Sequence, residues 1–192
     1  MKKTRILFPI LFSFCLMLIF TSCDNTIELK PTKVGEYSKL DLGIFVENKQ
    51  RLINLGQSKA EIDRILGHTT KTGELGAYKY NGIDISFDRE SKVESIEFET
   101  NLEGYVNFST YRKIKLDSPF DNVIKSYGTP SYESSSELKY IFSMDGEQVK
   151  LLGKHQAERE AKFKKNNLYM LSFLRGFEDE EITFISLGKF KG

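Results

Sequence analysis

Thiols are nearly missing from this chain. Its two cysteines, Cys15 and Cys23, both fall within the first 23 of 192 residues. Whatever folds beyond them has no disulfide, no cysteine metal site and no catalytic thiol, a usage that suits an oxidising compartment. Histidine is as scarce. His68 and His155 stand far apart, and neither has a His or Cys neighbour at ligand spacing. An excess of charge of one sign is also lacking. Removal of Lys2, Lys3 and Arg5 with a leader takes the 28 basic side chains to 25 against 27 acidic ones. That near-neutral balance excludes the basic footprint of a nucleic-acid-binding protein. No Gly-x-Ser-x-Gly elbow and no Gly-rich loop opening a helix occur. The acidic run Glu178-Asp179-Glu180-Glu181 lacks the spaced Asp/Asn/Gly pattern of a calcium loop and reads as a solvated hairpin tip. The expectation is a protein without cofactor, metal or catalysis.

What is present begins with a leader. Met1–Arg5 is basic, Ile6–Phe20 is uncharged and almost wholly apolar, and Thr21-Ser22-Cys23 supplies small residues before polar Asp24-Asn25. The order is that of a signal peptide, and the apolar run is shorter than the roughly 20 residues of a spanning helix. Phe20-Thr21-Ser22-Cys23 resembles a bacterial lipobox, with Phe20 where Leu is usual. The resemblance implies cleavage before Cys23, lipidation (palmitate among the acyl chains) of that cysteine, and a place in the bacterial cell envelope outside the cytoplasm. Each buried lipid methylene contributes about 0.8 kcal/mol, so several acyl chains hold a soluble domain durably. Residues 1–22 are therefore expected to be the signal peptide and 23–40 a lipidated tether containing Pro31 and Gly35.

From about Asp41 the pattern is that of a folded domain. Ser58-Lys59-Ala60-Glu61 is a capping box. Ile62, Ile65 and Leu66 follow at helical spacing, and Gly67 ends the helix. Tyr78-Lys79-Tyr80, Ile83–Phe87 and Val93–Phe98 alternate as strands, with Asn81-Gly82 as a hairpin turn. The plan then recurs. Arg112–Leu116 resembles Arg51–Leu55, and Ser118-Pro119 is placed to cap a helix over Val123–Tyr127. Leu138–Tyr140, Tyr169–Phe173 and Ile182–Leu187 match the three strands. The expected fold class is α+β: two tandem units, each a short helical segment packed on an antiparallel β-meander. The first unit spans 41–108. The second spans 109–192 with an insertion at about 143–167, where Lys154–Lys165 has helix-forming composition.

Each half carries the cadence Leu-Gly-x-Ser-x-x-Glu-Ile…Leu-Gly…Tyr-x-Tyr, here Leu55-Gly56-Gln57-Ser58…Glu61-Ile62…Leu66-Gly67…Tyr78-Lys79-Tyr80. This resembles the SmpA/OmlA (BamE-like) lipoproteins and the β-lactamase-inhibitor-protein fold, over about Asp41–Phe190. The resemblance implies a non-enzymatic role, binding another envelope or secreted protein by assembly or inhibition. BamE-type proteins carry one such unit, and two expected units favour the tandem inhibitor-like architecture.

Strand alternation gives one more expectation. If Ile83, Ile85, Phe87, Ile96 and Phe98 face the helix, the opposite face of the first meander shows Asp84, Ser86, Ser95 and Glu97. The same register in the second places Ile141, Met170, Leu174, Ile182 and Phe184 outward. An apolar outward face is covered either by the insertion or tether or by another protein. The function expected is a lipid-anchored protein-binding module of assembly-factor or inhibitor type. A cell-surface enzyme or small-ligand receptor is the alternative.

Overall fold

The computed structural model describes residues 33–190 apart from 74–75, 164–166 and 177–179. The leader, Cys23, and Glu178 and Asp179 of the acidic run lie outside them. The described residues form a mixed fold of three α-helices and antiparallel strands.

Local signals fix its first half. Helix α1 (Lys59–Leu66) starts where the capping box closes: Ser58 N donates to Glu61 Oε2 at 2.8 Å, and Ser58 Oγ accepts from Glu61 N at 3.4 Å. It stops at Gly67, whose φ of 94° disfavours any side chain. Its one fully buried residue, Ile62, enters the core; truncation to Ala there costs about 2–5 kcal/mol. Strands β3 (Tyr78–Tyr80) and β4 (Ile83–Phe87) join through Asn81-Gly82. Gly82 takes φ 84°, and a Cβ there would stand 2.4 Å from the Gly104 carbonyl carbon, so the turn also needs glycine for room. Strand β5 (Val93–Glu99) completes the meander.

Upstream, β1 (Gly43–Val46) and β2 (Arg51–Asn54) form a hairpin, and β6 (Phe108–Thr110) pairs with the other edge of β1. Helix α2 (Asp121–Tyr127) leads to β7 (Tyr132–Glu133), β8 (Glu137–Asp145), β9 (Gln148–Leu152), α3 (Lys154–Lys162), β10 (Leu168–Arg175) and β11 (Ile182–Lys189). The large sheet has the order β3-β4-β5-β11-β10-β8-β7, with β9 also on β8. Its inner face carries Ile85, Ile96, Phe98, Leu171, Phe173, Ile185 and Leu187. These share one core with Ile62 of α1, Val123 and Tyr127 of α2, and Ile44 and Ile53 of the small sheet.

Three local expectations differ from the structure. Ser118-Pro119 does not cap α2, whose N-cap is Phe120 with no side-chain bond. Ser118 and Phe120 instead pair through the backbone with Ile182 and Glu180, so tertiary pairing overrides the local cap. Arg112–Leu116, matched in sequence to Arg51–Leu55, does not form a strand as Arg51–Asn54 does, and Lys113 takes φ 66°. Residues 33–39, expected in the tether, pack on the body. Arg112, its side chain 3% exposed, bonds Asp41 at 2.6 Å and lies 4.9 Å from the Tyr37 and Tyr127 ring centres. It also donates to the Lys33 and Glu36 carbonyls.

The insertion is a hairpin and a helix. It extends β8, returns as β9, and forms α3 inside the expected helical stretch.

Candidate functional site

Side chains alternate across a strand, so the outward face of the large sheet follows from the register. The first meander behaves as its alternation predicts: Asp84, Ser86, Ser95 and Glu97 stand opposite the inward Ile85, Ile96 and Phe98. Hydrogen-bonded register then lines up Tyr132, Lys139, Ser172, Ser186, Glu97, Asp84 and Lys79 across the sheet. Beside this polar row runs Ile141, Met170, Gly188, Ser95 and Ser86; on its other side runs Glu137, Leu174, Phe184 and Glu99.

The five apolar candidates meet four fates. Ile141 is fully buried, packed with Leu152, Leu168 and Ala157 of α3, so the insertion covers it. Met170 is partly buried at the margin of that cluster, near Phe190 and Tyr132. Leu174 and Phe184 are half-buried and directly opposed across β10 and β11. Ile182 is not on this face. It is fully buried in the main core with Ile185 and Leu187. The cause is a bulge: Leu174 pairs with Phe184 but Arg175 with Ile182, leaving Thr183 as an extra residue that reverses the alternation.

Two clefts open on this face and share Met170 and Lys189. One, of about 570 Å3, lies among Tyr132, Ser134, Lys139 and Phe190. The other, of about 280 Å3, runs over Ser86, Ser95, Ser186 and Gly188 towards Glu94 and Glu97. Phe190 has the outward parity of Phe184, Ser186 and Gly188 but lies past the expected strand end at Leu187, and Lys189 lines both clefts although alternation places it on the other face. They reach the cleft because β11 continues past Leu187.

The electrostatics are uneven. Glu137 is satisfied by Lys139 at 2.7 Å and by the Ser172 hydroxyl at 2.8 Å. Asp84 Oδ2 binds Lys79 at 2.9 Å, while its Oδ1 is buried without a hydrogen bond. Desolvation among the sheet side chains pushes the Glu97 carboxyl above its ordinary range, and the Asp84 and Glu99 carboxylates add to the effect. Among the described residues no cation forms an ion pair with Glu97 or Glu99.

A second cluster lies on α1. The Tyr80 hydroxyl donates to Asp63 at 2.7 Å, Lys59 binds Asp63 at 2.9 Å, and His68 Nδ1 stands 3.2 Å from it. Desolvation opposes these bonds, but they hold the Asp63 carboxyl down at about 2. This cluster anchors helix to sheet. His155 is almost fully exposed, 3.7 Å from Glu158. Among the described residues no group of three His, Cys, Asp or Glu is placed to hold a metal, and no helix is long and apolar enough to cross a membrane.

No family model and no curated protein matches the chain. Among solved structures it is similar to the crystal structure of a DUF4309 family protein (YjgB) from Bacillus subtilis subsp. subtilis str. 168. The identity is 15%, covering 70% of this chain and 79% of that one, with a TM-score of 0.37. A likeness that distant carries no argument about fold or function.

Proposed function

We propose that this is a lipid-anchored protein of the bacterial cell envelope that binds another envelope or secreted protein without catalysis. The observation carrying it is the half-buried Leu174–Phe184 pair, on a sheet face that α3 covers only in part. Apolar side chains open on a sheet face are where protein-binding sites form, and aromatic side chains are enriched at such interfaces. The leader and Cys23 support the anchor, and the cadence shared with SmpA/OmlA and inhibitor-type proteins supports a binding role over an enzymatic one.

Two related units remain part of this reading. The order hairpin, helix, three strands occurs as β1-β2-α1-β3-β4-β5. It recurs in part as β6, α2, β8, β10 and β11: the 110–114 turn stands where the second strand of the hairpin would be, and β7, β9 and α3 are added. The equivalent strands β1 and β6 pair antiparallel, as do β5 and β11, as an approximate two-fold axis requires.

The test is affinity capture of the full lipidated chain from envelope extracts, with mass spectrometry of what it retains. Phe184→Asp is expected to abolish capture of a specific partner while melting stays close to wild type. Unchanged recovery with unchanged melting refutes the docking role of this face.

A further inference from the structure

The open part of the sheet face is chemically lopsided. At its β5 side, Glu97 and Glu99 succeed each other on one face, two residues apart, and neither forms an ion pair among the described residues. Asp84 stands directly across from Glu97, and its one bonded oxygen is already taken by Lys79. Phe184 is the direct cross-strand neighbour of Glu99, and Leu174 the next one over. Glu137 at the far end of that row is neutralised by Lys139. The face therefore offers an apolar pair flanked on one side by unpaired negative charge.

We propose that the partner presents a basic, extended polypeptide segment here: a Lys or Arg side chain at Glu97 and Glu99, and an apolar side chain against Leu174 and Phe184. This rests on the docking reading above and names the chemistry of its partner. Strands β5 and β10 are two strand spacings apart, roughly 10 Å, and side chains on one face of an extended segment recur every second residue, about 7 Å apart. One segment crossing the strands can thus place a cation at Glu99 and, two residues on, an apolar side chain between Phe184 and Leu174. Carboxylates already crowded by one another gain most from an incoming cation, because it relieves their mutual repulsion as well as pairing with them. The small floor of Ser86, Ser95, Ser186 and Gly188 leaves room for a backbone beside the row.

The test uses the full chain in detergent and two fluorescein-labelled probes, a peptide repeating Lys-Ser-Leu-Ser and one repeating Glu-Ser-Leu-Ser, so that charge and leucine share one face of the extended chain, read by anisotropy. The lysine peptide is expected to bind and the glutamate peptide not. Each carboxylate contributes as a surface ion pair does, so Glu97→Gln with Glu99→Gln is expected to weaken the lysine peptide about tenfold. Glu90→Gln, an exposed turn residue at the opposite end of β5, is expected to change nothing. Phe184→Asp is expected to abolish binding, with circular dichroism confirming that each variant folds. Equal binding of both peptides that Phe184→Asp abolishes overturns the basic-segment inference and leaves the docking face standing. Binding of the lysine peptide that neither the carboxylate variants nor Phe184→Asp alters overturns the face itself. Binding of neither peptide, with the full chain self-associating through Phe184, overturns the inference in favour of a second copy as occupant.

Discussion

Replacing Arg112 by methionine keeps most of the apolar stem and removes the guanidinium. Arg112 and Asp41 have side chains 3% and 0% exposed, so water cannot replace what is lost. The guanidinium serves Asp41 Oδ1 at 2.6 Å, the Ser126 carbonyl at 2.7 Å and the Lys33 carbonyl at 3.3 Å. Asp41 keeps only its bonds from Ser38, at 2.8 Å from the backbone N and 3.4 Å from the hydroxyl. Breaking a buried pair from one side costs about 3–5 kcal/mol, because the remaining charge stays buried. A domain of this size loses roughly 2–4 °C in Tm per kcal/mol, so a fall of about 10 °C is expected. The chain has no tryptophan, so urea and thermal unfolding are followed by circular dichroism. The double change Asp41→Asn with Arg112→Met removes both charges and is expected to recover about 2 kcal/mol. Trypsin supplies a local readout: Lys33 and Lys39 flank the segment that Arg112 pins, and cleavage there should precede global unfolding in the single variant. A single variant within about 1 kcal/mol of wild type refutes the argument that this pair clamps the chain entry. A double variant as unstable as the single one refutes the part assigned to the stranded Asp41 charge.

What could be read in advance was local. The capping box at Ser58 and the Asn81-Gly82 turn depend on residues two to four positions apart, and both form. The faces of β4 and β5 follow from unbroken alternation near their centres. Failure came where distant pairing decides. Ser118-Pro119 is a good cap in isolation but is held by backbone bonds to the β11 entry. Ile141 reads as outward, and it is, but α3 from the insertion lies over it. Ile182 reads as outward because period two was carried through the strand. A single extra residue at Thr183 turns it inward. The pairing of β5 with β11, which fuses both meanders into one sheet, has no local signature. It brings Glu99 beside Phe184, residues 85 positions apart, and so assembles the candidate site.

The remaining predictions probe the anchor, the helix cluster and the bulge. Cys23→Ala is expected to leave an unlipidated precursor, and metabolic labelling with a lipid analogue equal to wild type would refute lipidation. The Asp63 carboxyl, at about 2 against its ordinary 3.8, contributes about 2 kcal/mol of stability. Its folded value is depressed, so this contribution is complete above about pH 4 and is lost as pH falls through about 2. Asp63→Asn should flatten stability over that window, and an unchanged pH profile would refute the assignment. The last prediction compares Ile182→Asp with Phe184→Asp. Strict alternation would put both residues on one face and make the two changes alike. The bulge separates them: Ile182 is fully buried in the main core, whereas Phe184 is half-buried on the open face. A carboxylate at 182 is unpaired among apolar side chains and should unfold the domain, while at 184 it reaches water and should cost little. Thermal melting of the two variants side by side decides it. Equal losses would mean that the register between β10 and β11 runs without the bulge, and that the open face differs from the one described.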